Sequence, residues 1–184
     1  MIQTTFRELH KTGACKKRYK HLAKALGGIQ KYGRDTSITL LQILDINGFD
    51  DALWALRACD DAETFSRLLV CDYAEHVLHI FEAEYPDDYR PREAIAVSRR
   101  YARGEATEAE LTAAETAAWA AAETAAETAA ETAAGAAAGA AAWSAAETAA
   151  GAAARAAARN AARAAERQWQ EARLREMLKE MEAK

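Results

Sequence analysis

Proline and glycine are scarce in this chain, two and nine residues among 184. A protein of strands and tight turns uses more of both, so the shortage excludes that class and points to long helices. Cysteine is scarce too. Cys15, Cys59 and Cys71 are an odd number with no CxxC pair, which excludes a full disulfide framework, and the opening MIQTTFRELHK lacks the apolar run of a signal peptide. Both absences predict a reducing, cytoplasmic setting. No stretch suits a membrane span: the alanine-rich tract has the length, but Glu or Arg recurs through it at a cost in lipid. Nor is there a GxxxxGK[ST] phosphate loop, a GxGxxG turn or a GxSxG elbow. ALGGIQKYG reads as a helix stop. An enzyme is therefore not expected, and neither is a cofactor.

Apolar residues make up 51% of the chain, yet much of that is alanine from one tract, and alanine buries little area. Charge is uneven as well. The formal total of -4 hides +7 over residues 1–35, -9 over 36–112 and -2 over 113–184. A basic arm precedes an acidic body, a pattern that bears on charged partners and not on fold.

The fold class expected is all-α. ACKKRYKHLAKALGG places Tyr19, Leu22, Ala23 and Leu26 at helical spacing and stops at Gly27-Gly28. DTSITLLQILDING opens on capping side chains, is apolar nearly all round and ends at Asn47-Gly48, which predicts a central helix. DDALWALRAC restarts after the turn, and Asp60 with Glu63 has capping-box spacing. The next helix, Ala62 to about Tyr85, is expected to carry a core face of Leu69, Tyr73, Val77, Ile80 and Phe81 opposite an acidic face of Asp72, Glu75, His79 and Glu82. YPDDYRP breaks it, Pro91 starts a further helix and Gly104 ends that one. Thr107 and Glu110 make another capping box.

From Ala113 to Ala162 the chain repeats four-residue blocks beginning Ala-Ala. Alanine's propensity predicts helix throughout. Four residues turn a helix by roughly 400°, so the polar third positions wind around the rod and no coiled-coil seam can persist. Gly135 and Gly139 are the weak point: a fold there would set Glu115 opposite Arg163 and Glu123 opposite Arg155, whereas one continuous helix suits the same charges through its dipole. Leu174, Met177, Leu178 and Met181 restore an apolar stripe that should dock on something. Two domains are expected, a helical globular domain over 1–104 and an alanine-rich helical extension over 105–184, with the extension dispensable for folding of the first.

CDYAEHVLH groups Cys71, Asp72, Glu75, His76 and His79, and Glu75 with His79 could share an ion with Asp72 or Glu82 as third ligand. The spacing is not HExxH, and a solvated acidic face is the simpler reading, so no metal is expected. Cys71 reads as a semi-buried small residue. Lys11, Lys16, Lys17, Arg18, Lys20, Lys24, Lys31 and Arg34, interleaved with Tyr19 and Tyr32, have the makings of a phosphate-contacting arm. Neutralising the protein's own acids is the plainer role for them.

YGRDTSITLLQILDINGFDDALWALRAC, LLVCDYAEHVLHIFEAEYPDD and RPREAIAVSRRYARGEAT together resemble the immunity proteins of bacterial polymorphic-toxin systems, in the group described as similar to the fifth immunity family. The resemblance runs from about Leu9 to Leu111. It implies a small cytoplasmic helical protein that binds and blocks a toxin, and it carries over no active-site residues. An acidic surface suits a basic toxin site. The expected contact is Asp72, Glu75, His79 and Glu82 with Asp87 and Asp88 of the adjoining loop. The expected partner is thus a protein, a cognate toxin, and neither a nucleic acid nor a membrane. Two alternatives stand beside it: nucleic-acid association through the basic arm, and self-association through the tail.

Overall fold

The computed structural model describes residues 1–60, 62–122 and 145–183, with side chains from Arg163 onward in the last segment. Gly135, Gly139, the Glu123–Arg155 pairing and the blocks between them lie outside the described residues. So does residue 61, which adjoins the cap expected from Asp60 and Glu63. Among the described residues the chain is all-α apart from one small strand pair.

In chain order the elements are β1 (Gln3–Thr4), α1 (Phe6–Lys11), α2 (Lys16–Ala25), α3 (Ile29–Tyr32), β2 (Ile38–Thr39), α4 (Leu40–Asn47), α5 (Phe49–Ala55) and a 3-10 turn at Leu56–Ala58. There follow α6 (Ala62–Glu84), α7 (Arg90–Ala102), α8 (108–122) and α9 (Ala145–Glu182). The two-residue strands pair antiparallel, Gln3 with Thr39 and Thr4 with Ile38. They were not expected, because two residues leave no alternation to read.

The chain divides into two compact units, Met1–Leu69 with Gln170–Lys184, and Val70–Trp169. In the first, sequence punctuation matches structure closely. Thr39 caps α4 in a reciprocal box with Gln42, its side chain accepting from the Gln42 N–H at 3.1 Å while Gln42 accepts from the Thr39 N–H at 2.9 Å. This satisfies two of the orphan donors at the helix start. Gly48 ends α4 and opens α5 at φ 87°, a backbone state that costs glycine little. Ile38, Leu40, Ile43 and Leu44 are buried, as the expectation of a central α4 requires. Phe6 is buried beneath Tyr19 and Tyr32, edge-to-face at 5.3 and 5.9 Å between ring centroids. Thr4, also buried, donates its hydroxyl to the Ala58 carbonyl.

Leu174, Met177 and Leu178 belong to this same unit and are buried, and Arg175 pairs with Asp45 of α4. The stripe that should dock on something docks here. Three large apolar side chains of the expected extension thus lie in the core of the unit that holds residues 1–69.

In the second unit Gly104, where a domain boundary was expected, ends α7 at φ 75°, and the chain continues directly into α8. Thr107 and Glu110 form their box, with the Glu110 N–H reaching the Thr107 hydroxyl at 3.2 Å and the Thr107 N–H reaching the Glu110 carboxylate at 2.7 Å. Trp119 of α8 and Val77 of α6 line one groove, while Trp169 of α9 lies edge-to-face with Tyr73 of α6 at 6.1 Å.

Candidate functional site

The residues expected to form an acidic contact lie on α6 and the loop after it, and the structure brings most of them against α7. Arg99 of α7 donates to Asp72 at 2.7 Å and to Glu75 at 2.6 Å. Arg92 forms a two-pronged pair with Glu82, both bonds at 2.7 Å. In the loop, Arg90 grips Asp88 at 2.8 and 2.6 Å. Fork-to-carboxylate pairs of this kind fix orientation as well as charge. His79 places Nδ1 2.9 Å from the His76 carbonyl oxygen, and Asp87 is exposed at the tip of the loop. Of the six residues, then, Asp72 and Glu75 share one guanidinium, Glu82 and Asp88 have one each, and His79 and Asp87 project outward.

This arrangement reverses part of the expected face assignment. Cys71 and Leu78 are buried, and the Cys71 thiol points toward the Ile95 carbonyl of α7 at 3.9 Å. Val77 and Ile80, expected in the core, are 37% and 64% exposed. The physical reason lies in α7: its arginines supply charge partners for the acids, so that helix packs against the side of α6 that hydropathy alone assigns to water. A helix of 3.6 residues per turn has room for such a second buried stripe.

Arg99 also sets the local titration. Its hydrogen bond, aided by its charge, holds the Glu75 carboxyl below the usual carboxylate range, and the Arg99 guanidinium is raised in turn by the Glu75 hydrogen bond. A carboxylate with a depressed folded-state pKa contributes stability that is fully present above its unfolded value and lost as pH falls through the folded one. Arg99→Ala is therefore expected to cost about 1 kcal/mol at neutral pH, because both acids are only partly covered. It should also flatten the loss of stability on acidification. Melting temperatures of both chains from pH 7 to pH 3 test this; parallel curves would remove Arg99 from the account.

On the other side of α6, His76 stacks on Trp169 with ring centroids 3.6 Å apart and planes within 3°, and its Nε2 lies 3.3 Å from Glu166. Sequence reasoning missed this cluster, since some ninety residues separate its members and no local spacing reports such a contact. Burial raises the Tyr73 hydroxyl above its ordinary range, with Asp72 and Glu166 adding to it.

An apolar groove of about 610 Å³ runs between α6, α7 and α8. Val70, Val77 and Phe81 line one wall, Ile95 another and Trp119 the third. Val70 is 62% exposed and Trp119 78%. Among the described residues no group of three His, Cys, Asp or Glu side chains is placed to hold a metal ion, and no helix is long and apolar enough to cross a membrane. The three cysteines are free, Cys15 exposed, Cys59 half-buried and Cys71 buried. Burial pushes the Cys59 thiol up to about 12.

The family model described as Imm-5 like putative immunity protein matches residues 67–180, and the chain belongs to that family. The match begins in α6 and runs through the alanine-rich tract, whereas the resemblance read from the sequence began near Leu9 and ended near Leu111. All six candidate contact residues fall within it. No curated protein and no solved structure matches the chain.

Proposed function

We propose that this chain is an immunity protein that binds and blocks a cognate toxin, and that Asp72, Glu75, His79, Glu82, Asp87 and Asp88 belong to the contact surface. The observation that carries the reading is the family match over residues 67–180, which contains all six. Charge supports it: residues 70–122 carry eleven acids and five arginines, a net of -6, which suits a basic site on a toxin and speeds encounter with it. The pairing with Arg90, Arg92 and Arg99 holds the acids in fixed positions, so a partner meets a preorganised surface and little side-chain ordering remains to be done on binding. We assign the chain no catalytic step and no cofactor, and place it in the cytoplasm.

The test is association with the toxin encoded beside this gene. Asp87→Lys with Glu82→Lys is expected to slow association about tenfold and to weaken its dependence on salt, with a smaller effect on dissociation. An unchanged rate and salt slope would remove the acidic residues from the contact. Salt-sensitive binding of DNA or RNA that is lost on replacing the exposed Lys16, Lys17, Lys20 and Lys24 would favour the nucleic-acid reading. Self-association lost on shortening the tail would favour the third.

A further inference from the structure

We propose that the groove between α6, α7 and α8 receives a basic amphipathic helix of the partner protein, an inference that rests on the toxin-binding reading above and gives it an anchor. Three observations converge on it.

The first is exposure. Val70, Val77, Ile80 and Trp119 stand 62%, 37%, 64% and 78% exposed within one unit, and three of them line the groove itself. A contiguous apolar patch of this kind marks an interaction site more often than it marks ordinary surface. Tryptophan in particular supplies a large share of binding energy where it is covered by a partner.

The second is shape. From Val70 to Phe81 the wall of α6 is about 16 Å long, the length of three helical turns. A partner helix laid along it would place residues i, i+3, i+4 and i+7 in the groove.

The third is charge, which decides what flanks that stripe. Four of the five arginines in residues 70–122 are already held in ion pairs with Asp88, Glu82, Asp72 with Glu75, and Glu110. The segment stays at a net -6, and Glu115 stands on the groove wall. An incoming helix with Lys or Arg beside its apolar stripe meets complementary charge, and an acidic one meets repulsion.

The probe is a synthetic helix of about four turns, leucine at i, i+3, i+4 and i+7 and lysine elsewhere, titrated into the isotope-labelled full chain and followed by NMR. A second peptide carries glutamate for lysine. The lysine peptide is expected to move the Trp119 indole and the Val70 and Val77 signals. The glutamate peptide should bind at least about tenfold more weakly. Trp119→Asp and Val77→Asp should each weaken the lysine peptide about tenfold without lowering the melting temperature, because both side chains are exposed. Equal binding of the two peptides, shifts mapping elsewhere, or indifference to both substitutions would overturn the proposal. A dimer that Trp119→Asp abolishes would also overturn it, since the occupant would then be a second copy. Failure of the groove is separable from failure of the immunity reading. A Trp119→Asp chain that blocks the cognate toxin as the wild type does removes the groove and leaves the immunity role standing. A wild-type chain that takes the lysine peptide at Trp119 but protects against no toxin keeps the groove and removes that role.

Discussion

Leu174→Ala is expected to destabilise the chain by about 2 to 5 kcal/mol, the range for truncating a buried leucine. The side chain is fully buried, in the unit formed with residues 1–69. Removing residues 170–184 altogether takes Met177 and Leu178 with it, and the Arg175 partner of Asp45 as well. Since a domain's whole stability is about 5 to 15 kcal/mol, the shortened chain should lose its cooperative transition. Chemical unfolding followed by circular dichroism separates the outcomes. A Leu174→Ala chain within about 0.5 kcal/mol of wild type, the range for surface substitutions, would show that the helix end contributes nothing to that core.

The second large effect is expected at Phe6. Its ring is fully buried and meets Tyr19 and Tyr32 edge-to-face, and the Tyr19 hydroxyl donates to the Phe6 carbonyl at 3.2 Å. Phe6→Ala removes the transfer energy, opens a cavity and deprives two tyrosines of their partner, for about 3 to 5 kcal/mol. Phe6→Leu keeps most of the volume and should cost less than half of that. If the two substitutions cost the same, the edge-to-face geometry, and not burial, carries the stability. Thermal unfolding with near-ultraviolet circular dichroism on the tyrosines distinguishes the two.

In the first unit α2, α4 and α5 were legible because their ends are written in single residues, whereas α1 and α3, six and four residues long, are too short to show a periodicity. Thr39 with Gln42, Gly27-Gly28 and Gly48 are local devices, and each acts within one turn of where it stands. What was not legible depends on distant residues. The face that α6 turns to its neighbours is decided by Arg92 and Arg99 of α7, and hydropathy periodicity treats Asp72 and Glu75 as solvent-facing however they are paired. The burial of Leu174 follows from a contact more than a hundred residues away in sequence. Of the candidate site, the identity of the acids was readable, and the guanidinium groups that hold them were not. Trp119 was visible as one aromatic in an alanine tract, yet nothing local says whether such a side chain is covered.

The first unit is assembled from Met1–Leu69 and Gln170–Lys184, and this has a consequence for synthesis. At 5–20 residues per second, about 100 further residues must leave the ribosome after Leu69 before Leu174 can take its place, a wait of roughly 5 to 20 seconds. Through that interval the nascent first segment lacks part of its core, and its apolar side chains stay open to chaperones and proteases. The wait also spans the four-residue repeats, where a slipped reading frame would replace every residue downstream. A chain made that way has no Leu174, Met177 or Leu178 to complete that core.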